Sequence, residues 1–225
     1  MFDLTKSWDI FLSKFPVFMD GVQSTLMLAA CTVFFGFIIG LIVAIFRRTK
    51  IWPLRILMNI YVAFIRGTPL LVQVLLIVYG LPQLGVRLPR MTSCIIALAI
   101  NSGAYMAELI RAGLQSVDKG QVEAADSLGM NGFQKMTNVI LPQAIKVTLP
   151  AMGNEFIAII KESSVLYSVG VYELTYQANK LASTNFRYIE TLLVSAMIYF
   201  VLTYAATKLL GLLERRMRRG DNKMV

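Results

Sequence analysis

The chain has 225 residues, of which 56% are hydrophobic and only 16% charged, and its formal net charge is +9. So apolar a composition excludes an ordinary soluble domain and points to one helical membrane domain, because helices satisfy their own backbone groups in lipid. The positive charge is scattered over short segments, which argues against a nucleic-acid surface, and the lack of any histidine removes His-based general bases, triads and metal sites.

Residues 1–20 mix Asp3, Lys6, Asp9 and Lys14 with Trp8, Ile10, Phe11, Phe15 and Phe18, the pattern of an amphipathic helix lying in the membrane interface. Apolar runs then mark five spans within a membrane region of 21–213: 21–46, 56–81, 91 to about 110, 147–172 and 191–213. A basic tail, 214–225, follows. Cys31 and Cys94 fall inside apolar runs and read as packing residues. Gly36 and Gly40, four apart in the first span, predict close helix packing.

The loop from Arg47 to Arg55 is strongly basic and should be cytoplasmic. With five spans, 14 basic residues lie inside (47–55, 111–146 and 208–223) and six outside (Lys6, Lys14, Arg87, Arg90, Lys180 and Arg187). The N-terminus is then outside and the C-terminus cytoplasmic. The fourth span is the least apolar, since it holds Glu155, Lys161 and Glu162.

Three spans carry polar groups that are costly in lipid and so mark functional-site candidates. In the second, Arg66-Gly67-Thr68-Pro69 predicts a kink at Pro69 with freed carbonyls beside it. The third contains Asn101, with Glu108 and Arg111 spaced to pair. The fourth contains Glu155, which is read either as a ligand group or as an ion-pair partner of Arg66 or Lys161. Counted along straight helices, Arg66, Asn101 and Glu155 sit at similar depth and are expected to line one substrate site.

Between the third and fourth spans lies a polar loop, about 114–146. Glu123-Ala124-Ala125 starts a short helix, Gly129 is placed to cap it, and Asn131 with Gln134 fits a capping box for a second helix that Pro142 ends or kinks. The array Glu123-Ala124-Ala125, Gly129, Leu141-Pro142 resembles the cytoplasmic loop of permease subunits of bacterial ATP-binding-cassette importers, departing only at Val139, where isoleucine is usual. The Arg-Gly-Thr-Pro run, Asn101-Ser102-Gly103-Ala104-Tyr105 and Gly153-Asn154-Glu155-Phe156 resemble the polar amino-acid branch of that family.

The resemblance implies an all-α integral membrane protein with the type I importer permease bundle. Glu123, Ala124, Ala125, Gly129, Leu141 and Pro142 would couple it to an ABC ATPase dimer. Arg66, Gly67, Thr68, Pro69, Asn101 and Glu155 would face a polar amino acid. It further implies a second permease subunit (a copy or a paralogue), an extracytoplasmic amino-acid-binding protein and surrounding lipid in a bacterial cytoplasmic membrane. The chain has no Gly-rich phosphate loop of its own, so it is expected to bind no cofactor, with ATP-Mg on the ATPase. Glu155 tilts the substrate toward a cationic amino acid, with glutamine, cystine or another small polar solute open. The rival readings are a membrane-embedded enzyme using Asn101, Glu155 and Lys161, or an ion channel; neither explains the polar loop.

Overall fold

The computed structural model describes residues 4–219, and among them the chain is helical with no strand. The last residues of the basic tail, 220–225, lie outside the described residues, as do 1–3. A short α1 (Leu4–Ser13) leads into the long α2 (Phe15–Phe46), which carries Pro16 in its first turn, where a missing N–H costs nothing. Residues 15–20, grouped on sequence with the interfacial segment, are therefore the first turns of α2.

The second apolar run is not one helix. It comprises α3 (Trp52–Gly67), α4 (Leu70–Leu75), a π-helical turn (Leu76–Gly80) and α5 (Leu81–Gln83), and it bends by 110° between α3 and α4. The kink expected at Pro69 is thus a full break. The proline ring bars its predecessor from helical angles, and Thr68 and Pro69 both adopt extended backbone.

After α6 (Arg90–Gln115), α7 (Lys119–Ser127) and α8 (Gly132–Lys135) form a helical hairpin. A second π-helical turn (Met136–Ile140) carries α8 directly into α9 (Leu141–Glu162). Pro142, expected to end or kink the helix, does not end it: the chain stays helical from Gly132 to Glu162. Both π-helical turns stand immediately before a Leu-Pro pair, Leu81-Pro82 and Leu141-Pro142. The wider turn accommodates the ring clash and missing donor that would break a regular α-helix. A 3-10 segment (Ser163–Val169), α10 (Leu174–Asn185) and α11 (Tyr188–Arg219) complete the fold.

The two glycines at four-residue spacing set the central packing. A Cβ at Gly36 would stand 2.8 Å from Ser102 Oγ, and one at Gly40 only 2.5 Å from Met106 Cβ, so α2 and α6 approach backbone to backbone. This register makes α2 and α6 parallel. The intervening α3–α5 segment therefore carries the chain back along the bundle, with Val74, Ile77 and Val78 packed near Met91, Cys94 and Leu98. Gly113, near the end of α6, meets Ala144 and Thr148 at the start of α9. At the opposite end Arg90 lies over Gly170. α9 and its 3-10 continuation thus run antiparallel to α6 along its whole length. α11 runs with α2, from Val194 beside Phe18 to Leu210 against Gly153.

Three helices, α2, α6 and α11 (over Tyr188–Met217), are long and apolar enough to cross a membrane, and the bent α3–α5 pair makes up to four. On composition α9 does not join them.

Candidate functional site

The break between α3 and α4 leaves a carbonyl without its helical partner. Ile65 C=O would accept from the N–H four residues on, and that residue is Pro69, which has none. Gln73 supplies the donor from its side chain. Its Nε2 donates to Ile65 O at 2.8 Å, to Thr68 O at 3.1 Å and to Thr68 Oγ1 at 2.8 Å. Its Oε1 accepts from Asn101 Nδ2 at 3.0 Å. Gln73 and Asn101 are both buried, so one polar bridge fastens the break to α6. Thr68 Oγ1 in turn donates to Phe64 O at 2.9 Å.

Asn101 and Thr68 are therefore brought together, in line with the sequence, but through Gln73, which sequence reasoning passes over. The signal is a glutamine inside an apolar run, four residues beyond a helix-breaking proline. One N–H of Asn101 is committed to this bridge, which leaves its second N–H and its oxygen for a ligand.

Arg66 lies closer to the other end of α6. Its guanidinium stacks over the Tyr105 ring, 5.4 Å from the centroid, and stands 3.9 Å from Glu108. Glu108 is already occupied. Arg47 Nη1 donates to its Oε1, and Arg111 donates through Nε and Nη2 to its Oε2 at 2.9 and 2.7 Å. Arg47 Nε also donates to Asn59 Oδ1 at 2.7 Å. The Glu108–Arg111 pair expected from spacing is thus the centre of a network tying α2, α3 and α6. Arg66 is its loosest member, exposed beside Gly67, whose surroundings are open. A half-exposed guanidinium on an aromatic face suits a carboxylate ligand.

Glu155 sits on the other side of α6. It is half-buried, within reach of Ser102, and makes no ion pair among the described residues. Ser102 itself is buried, and its hydroxyl has no well-formed hydrogen bond. The pairing of Glu155 with Arg66 or Lys161 is not formed. Glu155, beside Ser102, and Asn101 flank the same level of α6, whereas Arg66 stands over Tyr105, one turn further along α6. The polar groups form two clusters on adjacent faces of α6, Arg66–Tyr105 with Thr68–Gln73–Asn101 on one and Ser102–Glu155 on the next.

The hairpin of the polar loop follows its residues at the turn, but α7 begins at Lys119, so Glu123-Ala124-Ala125 lies inside that helix and does not start it. Asp118 caps α7 by accepting from Gly120 N at 2.8 Å. Gly129 takes φ +72°, and Met130 N donates back to Ala125 O at 3.1 Å, the six-residue closure that favours glycine at that position. Asn131 and Gln134 form the expected capping box, with bonds of 2.9 and 3.0 Å. Lys135 Nζ bridges to Asp126 at 2.6 Å across the hairpin. Ala125 is buried, whereas Glu123, Ala124, Leu141 and Pro142 are exposed. Leu128 and Phe133 flank the turn and are each 77% exposed. Sequence reasoning does not single out these two exposed apolar side chains.

A further group escapes a reading by sequence. Glu173, fully buried, caps α10 by accepting from Thr175 N (2.9 Å) and Tyr176 N (2.6 Å), and it accepts from Tyr199 Oη of α11 at 2.7 Å. Leu174 N donates to Thr25 Oγ1 of α2 at 3.2 Å. Glu173 thereby joins α10 to α11 beside α2.

Comparison with known proteins agrees with this architecture. Residues 36–219 match the family described as binding-protein-dependent transport system inner membrane component. The chain is 43% identical to a probable amino-acid permease protein, YxeN, of Bacillus subtilis, over 96% of this chain and 97% of the relative. It is 39% identical to the probable glutamine ABC transporter permease protein GlnM of the same organism, over 94% and 98%. It superposes on a crystal structure of an amino acid ABC transporter with histidines with a TM-score of 0.91 and 46% identity, covering 96% of this chain and 99% of that one.

Proposed function

Since the chain belongs to the family of binding-protein-dependent transport system inner membrane components, we propose that it is the permease subunit of an ATP-driven importer of a polar amino acid. The observation that carries this reading is likeness along nearly the whole chain to amino-acid permeases, through the bundle and the hairpin alike. The chain is a transport subunit rather than an enzyme, and a separate ATPase subunit supplies the energy. ATP-Mg is held on that ATPase, whose dimer receives the α7–α8 hairpin.

In this reading the chain passes five times through the membrane. The alternating directions of α2, α3–α5, α6, α9 and α11 support it. α9 has 22 residues and is about 33 Å long, enough to span about 30 Å of hydrocarbon. The basic loop at Arg47–Arg55 and the hairpin face the cytoplasm, with the N-terminus outside. A second permease subunit completes the path, and an extracytoplasmic binding protein delivers the substrate.

The polar clusters assign roles. Arg66, on Tyr105 and loosely held by Glu108, takes the substrate carboxylate; Gly67 keeps the approach open, and Thr68 and Pro69 form the break that exposes it. Asn101 Oδ1 and the Glu155 carboxylate receive the ammonium or a cationic side chain. ATP binding draws the hairpins together and turns the bundles between inward- and outward-open states. The purified permease–ATPase complex in liposomes, with its binding protein and candidate amino acids, tests the reading. Substrate-stimulated ATP hydrolysis and uptake are expected. With Glu155→Gln, ATPase association should persist while uptake falls at least about tenfold, the effect of one lost charge-assisted hydrogen bond. Normal uptake in a well-expressed Glu155→Gln complex would remove Glu155 from the site.

A further inference from the structure

A cavity of about 780 Å³ opens between α1, α2 and α11, remote from the clusters described above. Its walls are Phe11, Met19, Val22, Met197 and Leu202 among other apolar groups, and the hydroxyl in its lining is that of Ser7. Ser7 is 8% exposed, and its hydroxyl has no hydrogen-bond partner among the described residues. A buried hydroxyl left unsatisfied costs about 1–3 kcal/mol, so a missing acceptor is indicated.

Along α11 the cavity runs from Leu193 to Leu202. At about 1.5 Å per residue that is roughly 14 Å, close to half the hydrocarbon thickness of a bilayer. Two of its three walls, α2 and α11, are helices apolar enough to span. The third wall, α1, carries Trp8, 61% exposed, and the charges of α1 and the start of α2 are mixed, Lys6 and Lys14 with Asp9 and Asp20, as suits a zwitterionic headgroup. The ligand that matches this arrangement has an apolar chain one leaflet long, acceptor oxygens where the chain meets its head, and a phosphate within reach of the lysines.

We propose that this groove holds one acyl chain of an outer-leaflet phospholipid, with a glycerol-ester oxygen accepting from Ser7 Oγ and the phosphate near Lys6 and Lys14. The inference rests on the membrane placement proposed above. The bound lipid seals α1 against α11, so that α1 is held in the interface.

The test uses the complete permease–ATPase complex in nanodiscs of phosphatidylethanolamine and phosphatidylglycerol doped with a phosphatidylethanolamine carrying a diazirine near its acyl terminus. Cross-linked peptides are mapped by mass spectrometry. Labelling is expected to concentrate on the groove-lining Met197, Ile198, Val201 and Leu202, well above the outward residues Phe200 and Tyr204. Met197→Trp, which fills the groove from its rim, should abolish the excess, and Ser7→Ala should lower it about fivefold, the effect of one hydrogen bond. Both variants should keep ATPase association, which excludes misfolding as the cause. Uniform labelling around α11 overturns the proposal, and so does a disulfide between cysteines at positions 8 and 197 of two copies, which would make a second copy the occupant. Absence of labelling anywhere on α11 would instead overturn the membrane placement.

Discussion

Replacing Gln73 by leucine removes the donor that stands in for the missing N–H of Pro69. The volume is nearly kept, but Ile65 O and Thr68 O lose their side-chain donor and Asn101 Nδ2 loses its acceptor. Each buried polar group left unpaired costs about 1–3 kcal/mol. Thr68 is only half-buried and can rehydrate, so the sum is about 2–4 kcal/mol rather than the full threefold cost. For a chain of this size that corresponds to a fall of roughly 4–15 °C in the unfolding midpoint. Scanning fluorimetry of the detergent-solubilised complex measures it, with uptake in liposomes in parallel. Asn101→Ala should cost less, and the double variant should fall short of additivity by about 1 kcal/mol because the two side chains share one bond. An unchanged midpoint in Gln73→Leu would refute the reasoning. A loss of uptake in Asn101→Ala at unchanged stability would make Asn101 a ligand group alone.

Gly129→Val places a branched side chain at φ +72°, at about 1–2 kcal/mol in a solvent-exposed turn; insertion should be normal and co-purification of the ATPase reduced, and undiminished co-purification would refute a docking role for the turn. Glu173→Ala orphans two N–H groups and leaves Tyr199 Oη with Thr175 Oγ1 as its partner and should destabilise by about 2–4 kcal/mol, whereas Glu173→Gln, which keeps an acceptor, should lose less than half of that; equal losses in fluorimetry would argue for a role of the charge itself. A cysteine at position 223 should resist membrane-impermeant maleimide in intact cells, and rapid labelling would refute five passes.

Much of the site is legible in the amino-acid sequence because its signals are local. A positive-φ turn asks for glycine, and a capping box needs two residues three apart, so Gly129, Asn131 and Gln134 declare the hairpin. The cost of ions in lipid singles out Arg66 and Glu155, and the four-residue spacing of Gly36 and Gly40 announces the close α2–α6 contact. What sequence does not supply is direction and angle. A proline says that a helix is interrupted, not by how much, and the turn at Thr68–Pro69 is one of 110°. A Leu-Pro pair reads as a helix end, yet the π-helical turn before Pro142 keeps the helix whole. The partners of Gln73 and Glu173 lie on other helices, 28 and 26 residues away. Only packing brings such groups within 3 Å of each other, and so only the tertiary structure separates the polar groups that hold the bundle together from those that remain for a substrate.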